Sequence, residues 1–396
     1  MRIYNVGMYK RELSKHLIAS LKNYSVLTLL GPRQSGKTTL VRSLFPKYDY
    51  RSLENPDERA MAIEDPKGFL NGLSKKSILD EFQRAPKLSS YIQGIVDDPG
   101  NDKKFILTGS NGLMLVDSIT QTLAGRTELF ELPPLSYREI QQKNNNFSLN
   151  DFLLHGGYPK IYKDNLSPTK WLRSYFQLYV EKDIRQITNI KNMDSFERFV
   201  RLAAGRAGQL LNSSAISNEA GVTTPTIQQW ISALKSTYIC FTLKPHFRNF
   251  NKRIVKSAKL YFYDTGLLCY LLGINSKEQL DIHPLRGNIF ENFIVSEVYK
   301  NKMNTSLDHN LYYWRDQKGH EIDLIEDHSS YLFPMEIKLS QTFNSSFIKN
   351  LNYFNKLQQE NKAHLPDPQG KVIFCGDKEN IFKGIEIKNW KNFLLK

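Results

Sequence analysis

Three cysteines in 396 residues, Cys240, Cys269 and Cys375, are too few and too scattered for a disulfide framework or a cysteine metal site. That scarcity argues against a small secreted scaffold and points to a reducing cytoplasm. Long apolar runs are missing too. No stretch reaches about eighteen apolar residues, so neither a transmembrane helix nor a membrane partner is expected. The opening Met1-Arg2-Ile3-Tyr4-Asn5 lacks the apolar core of a signal peptide, so none is expected. Negative charge is the other shortage. Fifty-four Lys and Arg stand against 40 Asp and Glu, a formal net charge of +14. An excess of this size suits a polyanionic partner, most simply nucleic acid; a solubility effect or a general lysine bias is the bland alternative. A hydrophobic fraction of 40% with 24% charged residues is globular composition. The length suggests about two to four domains.

What is present is organised around Gly31-Pro32-Arg33-Gln34-Ser35-Gly36-Lys37-Thr38, which has the form G-x-x-x-x-G-K-[ST]. Residues 25–30 before it read as a short buried strand, and residues 39–44 after it have helical character. Gly31 and Gly36 let the backbone curl so that successive N–H groups point inward, and the following helix adds its positive end. Lys37 would reach the β- and γ-phosphates and Thr38 would place its hydroxyl on Mg²⁺. ATP and Mg²⁺ are the expected cofactors.

A second apolar stretch, Ser77-Ile78-Leu79-Asp80-Glu81, ends in two carboxylates. Asp80 would hold the Mg²⁺ shell, and Glu81 would orient and polarise the attacking water. Residues 105–111 repeat the strand-then-polar design. Ser110 is expected between the acidic pair and the γ-phosphate, with Asn111 second; helix capping by a polar strand end is the alternative. Arg126 suits transition-state charge on a phosphoryl group, in its own chain or a neighbouring subunit of a homo-oligomer, unless it is an ordinary surface cation.

Residues 31–38, 77–84, 108–111 and 123–126 together resemble the AAA-type P-loop ATPases, over about the first third of the chain. A closer resemblance is to a bacterial and archaeal group of these ATPases with a C-terminal domain of unassigned function. Asp80-Glu81-Phe82-Gln83-Arg84, Phe152-Leu153-Leu154-His155-Gly156-Gly157-Tyr158-Pro159 and residues 179–183 carry it. Residues 151–202, mostly helical in pattern, correspond to the helical lid that commonly follows such a core.

From residue 208 the pattern changes. A helix, a turn at Gly221 and a second helix opened by Thr224-Pro225 follow helix-turn-helix grammar, with Ile227, Ile231 and Leu234 inward and Thr226, Gln228 and Gln229 outward. With the strand at 238–243 the unit resembles a winged helix. Residues 244–259 then carry Lys244, Arg248, Lys252, Arg253, Lys256 and Lys259, interleaved with Phe247 and Phe250 and free of acidic residues. DNA is the expected partner of this segment; winged helices also serve as protein–protein modules or spacers.

Past Pro284 comes an amphipathic helix containing Glu291, then strands at 311–315, 321–325 and 331–339. Strand periodicity sets Glu336 and Lys338 on one face. Asp323 on a neighbouring strand would share a Mg²⁺ with Glu336, Lys338 would stand beside the attacking water or the scissile phosphate, and Glu291 could add a carboxylate. This arrangement resembles the PD-(D/E)XK nuclease superfamily over roughly the last hundred residues; a solvated strand pair is the alternative.

The expected fold class is α/β: a parallel P-loop NTPase sheet with a helical lid, then a winged helix and a C-terminal restriction-endonuclease-like domain. The boundaries fall at 1–140, 141–205, 206–282 and 283–396. The leading reading is an ATPase acting on DNA or a nucleoprotein, with a metal-dependent nuclease site. The alternative is a nucleotide-gated interaction protein whose C-terminal domain binds a partner without cleavage.

Overall fold

The computed structural model describes residues 9–110, 119, 121–143, 147–181, 184, 192–246, 257–307, 309–361 and 365–395. Two sheets divide them. The first contains β1 (Val26–Leu30), β2 (Asp49–Ser52), β3 (Lys76–Asp80), β4 (Lys104–Gly109) and β5 (Thr127–Glu131), in the order β2-β3-β4-β1-β5, every pair parallel. β1 is buried at all five positions, which is why it reads as an apolar run broken only by Thr28: helices cover both faces of a parallel sheet. Helix Ser14–Asn23 and helix Lys37–Leu44 pack on one side through Leu13, Leu17, Leu40 and Val41. Parallel strands bring the ends of β1, β3 and β4 to one edge, where ligands of open α/β sheets bind.

Beyond β5, helix Tyr137–Gln141 starts at a capping box between Ser136 and Glu139. Helices Leu149–His155, Pro159–Lys163 and Pro168–Tyr175 come next, and a π-helical turn, Phe176–Val180, prolongs the last. After them stand helices Met193–Ala204, Ser213–Ala220 and Thr224–Ser236. The last two are joined at Gly221, whose φ of 71° suits the left-handed turn. Gln228 and Gln229 are exposed, whereas Thr226 is half-buried.

The second sheet has eight strands. β6 (Cys240–Pro245) and β7 (Lys259–Phe262) form an antiparallel hairpin. β8 (Leu311–Arg315), β9 (Glu321–Asp327), β10 (Leu332–Lys338), β11 (Lys371–Phe374), β12 (Asn380–Phe382) and β13 (Ile385–Asn389) complete it. Their order is β12-β13-β11-β10-β9-β8-β6-β7. The expected break between 282 and 283 is therefore not a break in this sheet: β6 pairs with β8 through Lys244 opposite Tyr312 and Pro245 opposite Tyr313. Helix Arg286–Thr305 packs on one face and helix Lys349–Glu360 on the other, over a separate core with Trp314, Ile322 and Phe354.

Candidate functional site

The phosphate loop leaves β1 at the carboxyl edge of the first sheet. Gly31 has φ 146° and a Cβ there would fall 2.3 Å from Leu132 O, so only glycine fits. Gly36, at φ 95°, precedes helix Lys37–Leu44. Lys37 is 5% exposed, and its Nζ donates to Gly31 O and Pro32 O at 2.8 Å each. Ser35 Oγ is buried with no hydrogen-bond partner. Arg11 anchors the loop from below: its guanidinium donates to Ser35 O (2.9 Å), Pro133 O (2.6 Å) and Glu139 Oε1 (3.0 Å).

Asp80, at the end of β3, accepts from the hydroxyls of Thr38 (2.9 Å), Tyr50 (2.7 Å) and Thr108. Burial first, and then the bond to Asp80, pushes the Tyr50 hydroxyl up to about 12, so it remains a donor. Glu81 follows in the left-handed conformation, φ 56°, a strained position for glutamate. Its carboxylate accepts from Gln83 Nε2 and, at 3.2 Å, from Ser110 Oγ. Thr38, Asp80, Glu81 and Ser110 are thus brought together. Tyr50 and Arg11 belong to the same site and carry no motif signal, since only folding brings them near; Gln83 and Thr108 lie inside the stretches 80–84 and 108–111, which assign them no role. Arg33, Gln34, Lys37, Thr38, Glu81 and Tyr179 are among the residues lining an adjoining cavity of about 770 Å³.

Arg126 does not reach the phosphate loop of its own chain. Register pairs Thr127 with Val26 and Glu131 with Leu30, so Arg126 lies at the amino edge of the sheet. That is five residues, roughly 16 Å, from the loop of its own chain. There it pairs with Asp97 through two hydrogen bonds. Asn111 lies outside the described residues.

The C-terminal residues converge on a second site. β9 and β10 are antiparallel with Met335 opposite Leu324; one further step sets Glu336 opposite Asp323, side chains on one face. Lys338 Nζ stands 2.6 Å from Glu336 Oε1 and 3.7 Å from Asp323 Oδ2. Asp323 Oδ2 also accepts from Ile337 N at 2.8 Å. Burial, then repulsion from Asp323, pushes the Glu336 carboxyl up to about 8. Burial opposes the charge of Lys338, but Asp323 and Glu336 outweigh it and hold the ammonium above its ordinary range. Glu291, on helix Arg286–Thr305, is pushed up to about 7, by burial and then by Asp323. Glu336 Oε2 is buried with no hydrogen-bond partner. As the side chains stand, no three His, Cys, Asp or Glu among the described residues close around a single ion position; lysines separate the carboxylates.

Lys259 requires a correction. Expected on a DNA-facing surface, it is 2% exposed and paired with Glu291 and Glu321. Lys244 is exposed, while Phe247, Arg248, Phe250, Lys252, Arg253 and Lys256 lie outside the described residues.

A glycine loop after β1, facing an acidic pair after β3 on a parallel sheet, defines the P-loop nucleotide-binding class. Residues 23–141 match the model of an AAA domain. Residues 146–278 and 286–391 match two domains of unknown function, DUF8612 and DUF4143. An uncharacterized protein of Mycobacterium tuberculosis is 31% identical over 346 residues, 86% of this chain and 76% of that protein. An uncharacterized protein of Methanocaldococcus jannaschii is 21% identical over 403 residues, 92% and 88% of the two chains. The solved Walker-type ATPase of Pyrococcus abyssi aligns with a TM-score of 0.45 and 16% identity, over 67% of this chain and 96% of that one. The chain belongs to the same family as the mycobacterial protein, and its first third is an AAA-type P-loop ATPase. That class implies ATP and, as a rule, Mg²⁺. No helix among the described residues is long and apolar enough to cross a membrane.

Proposed function

We propose that this ATPase acts on DNA and that its C-terminal carboxylates form a divalent-metal phosphodiesterase site. The observation that carries the second part is Glu336. Its Oε2 is buried without a partner beside Asp323 and Lys338, and an orphaned carboxylate oxygen in that position fits a cation. The net charge of +14 and the exposed Gln228 and Gln229 on helix Thr224–Ser236, read as the second helix of a winged helix, support DNA as the partner.

At the phosphate loop the residues fit Mg²⁺–ATP. Ser35 Oγ is an unused donor, and the Thr38 hydroxyl lies 2.9 Å from Asp80, where both can face one ion. Mg²⁺ bound there would neutralise phosphate charge. Lys37 turns from loop carbonyls to the β- and γ-phosphates, Glu81 orients water, and Ser110 with Gln83 sets the direction of the Glu81 carboxylate. In the second site Asp323 and Glu336 would hold the ion, and a divalent cation there supplies Lewis acidity and an activated water. Lys338 stabilises negative charge that grows in the transition state.

The test is Mn²⁺-dependent cleavage of duplex and branched DNA, together with ATP turnover with and without DNA. Wild type should cleave and D323N should not, while E81Q should bind ATP and hydrolyse it at least about tenfold more slowly. ATP turnover indifferent to every DNA, with no cleavage, would sink the proposal. It would leave an ATP-switched protein that binds a partner through an uncut contact.

A further inference from the structure

The β6–β7 hairpin lies, in sequence, before residue 282, yet one of its side chains ends among the C-terminal carboxylates. Lys259 opens β7. Its Nζ stands 3.1 Å from Glu291 Oε1, pairs with Glu321 Oε1, and lies 5.6 Å from the Tyr313 ring centroid. Tyr261, two residues along β7 and on the same face, donates its hydroxyl to the same Glu291 Oε1 at 2.7 Å. Across the cluster, Lys338 pairs with Glu336 and Asp323. The two halves share one field, since Asp323 acts electrostatically on Lys259, Glu291 and Glu336 alike. Four carboxylates therefore meet two ammonium groups, and Glu336 Oε2 is a buried oxygen left without a hydrogen-bond partner.

We propose that Lys259 is an internal counter-ion of the divalent-cation site, seated on Glu291, so that an ion can take Glu291 as a third ligand only when Lys259 gives it up. This inference rests on the metal-dependent reading of Asp323 and Glu336 above. A buried ammonium beside a divalent ion is strongly repelled at low effective dielectric, whereas either cation alone relieves the repulsion between Glu291 and Asp323. The two cations are therefore alternatives. Release of Lys259 leaves neither of its partners bare: Glu291 keeps the Tyr261 hydroxyl, and Glu321 keeps Arg315 Nη1 at 3.1 Å. Metal affinity is thereby set by a residue outside the segment that carries the metal-binding carboxylates, and the seating of the hairpin tunes the site.

The experiment is a titration of nucleotide-free, full-length protein with Mn²⁺, read by the electron paramagnetic resonance of the free ion. Removing one unit charge beside a divalent site should make K259M bind about tenfold tighter than wild type, and K259R should stay within about twofold. The gain should disappear in K259M/E336Q. If K259M binds no tighter while E336Q still weakens wild-type binding, the counter-ion role is wrong and the metal reading survives. If Mn²⁺ binding ignores E336Q in every background, the metal reading falls and this inference with it. Should K259M fold poorly, K259M/E321Q removes the lysine together with its second carboxylate. Mn²⁺ should then raise its melting temperature more than that of wild type, and an equal or smaller rise counts against the proposal.

Discussion

At Glu336 burial and like charge push in the same direction. Together they push its carboxyl up to about 8 from an ordinary 4.5, so between those values the folded state holds a proton that the unfolded chain has released. Stability from this group is therefore present at low pH and lost as pH rises from about 4.5 through 8. Without metal, the melting temperature of E336Q should fall less steeply across that window than that of wild type, and Mn²⁺ should flatten the wild-type profile. Parallel profiles would show that the carboxyl titrates normally. The sequence exposed Glu336, Lys338 and Asp323 because strand alternation is a local signal. It exposed the phosphate loop and the pair Asp80–Glu81 for the same reason. The own-chain reading of Arg126 and the surface reading of Lys259 fail where locality ends. Nothing near Arg126 tells which edge of a parallel sheet it occupies. Lys259 looks like one more cation in a basic run until β7 pairs and helix Arg286–Thr305 covers it.

Elements rather than residues explain the Gly-Gly-Tyr-Pro turn, for which the sequence suggests only a sharp bend. Gly156 has φ 68°, and a Cβ on it would fall 2.2 Å from Asp264 Oδ1; one on Gly157 would fall 2.2 Å from Leu135 O. Asp264 Oδ2 accepts from Gly157 N at 2.6 Å, and Gly157 O accepts from Leu135 N at 2.7 Å. The glycines let helices Leu149–His155 and Pro159–Lys163 lie against the chain that leaves β5 and against helix Thr265–Leu271. From this turn Tyr158 packs on Tyr175, and Tyr175 on Tyr179. The π-helical turn then sets Tyr179 over the loop, its hydroxyl 3.3 Å from Gln34 Nε2 and its ring 5.8 Å from Arg33 Cζ. Such insertions are frequent at functional sites. Y179F should change KM for ATP by only about twofold, because an exposed neutral hydrogen bond of this length contributes at the low end, about 0.5 kcal/mol. Y179A, which also removes the ring beneath Arg33, should raise KM about fivefold with kcat less affected. Equal effects of the two would locate the role in the hydroxyl alone.

At the scale of the molecule, sequence boundaries and folding boundaries differ. Composition and motif style change near residue 282, and the matched domains change there too, yet the second sheet runs through. Helix Lys349–Glu360 and β11 to β13 are illegible in the sequence because their apolar positions are short and broken by Asn, Gln and Lys. Among the contacts that bind the hairpin to the C-terminal strands and helices are the β6–β8 pairing, the Lys259 pairs, and Asn292. The Asn292 side chain is fully buried; its Oδ1 accepts from Phe262 N at 2.7 Å and its Nδ2 donates to Phe262 O at 3.0 Å, closing the edge of β7. A fragment of residues 283–396 would expose the β8 edge, Asn292 and the half-buried Glu291 without partners. Unpaired strand edges and unpartnered buried polar groups each favour aggregation over folding. That fragment should be insoluble or lack a cooperative melt, whereas a fragment of residues 206–396 should unfold in one transition. Replacing Asn292 by Ala in the full chain should lower stability by about 1–3 kcal/mol, the cost of stranding the Phe262 amide and carbonyl. A 283–396 fragment that melts cooperatively, with a dispersed amide spectrum, would show that the hairpin is an attachment to this sheet and not part of its fold.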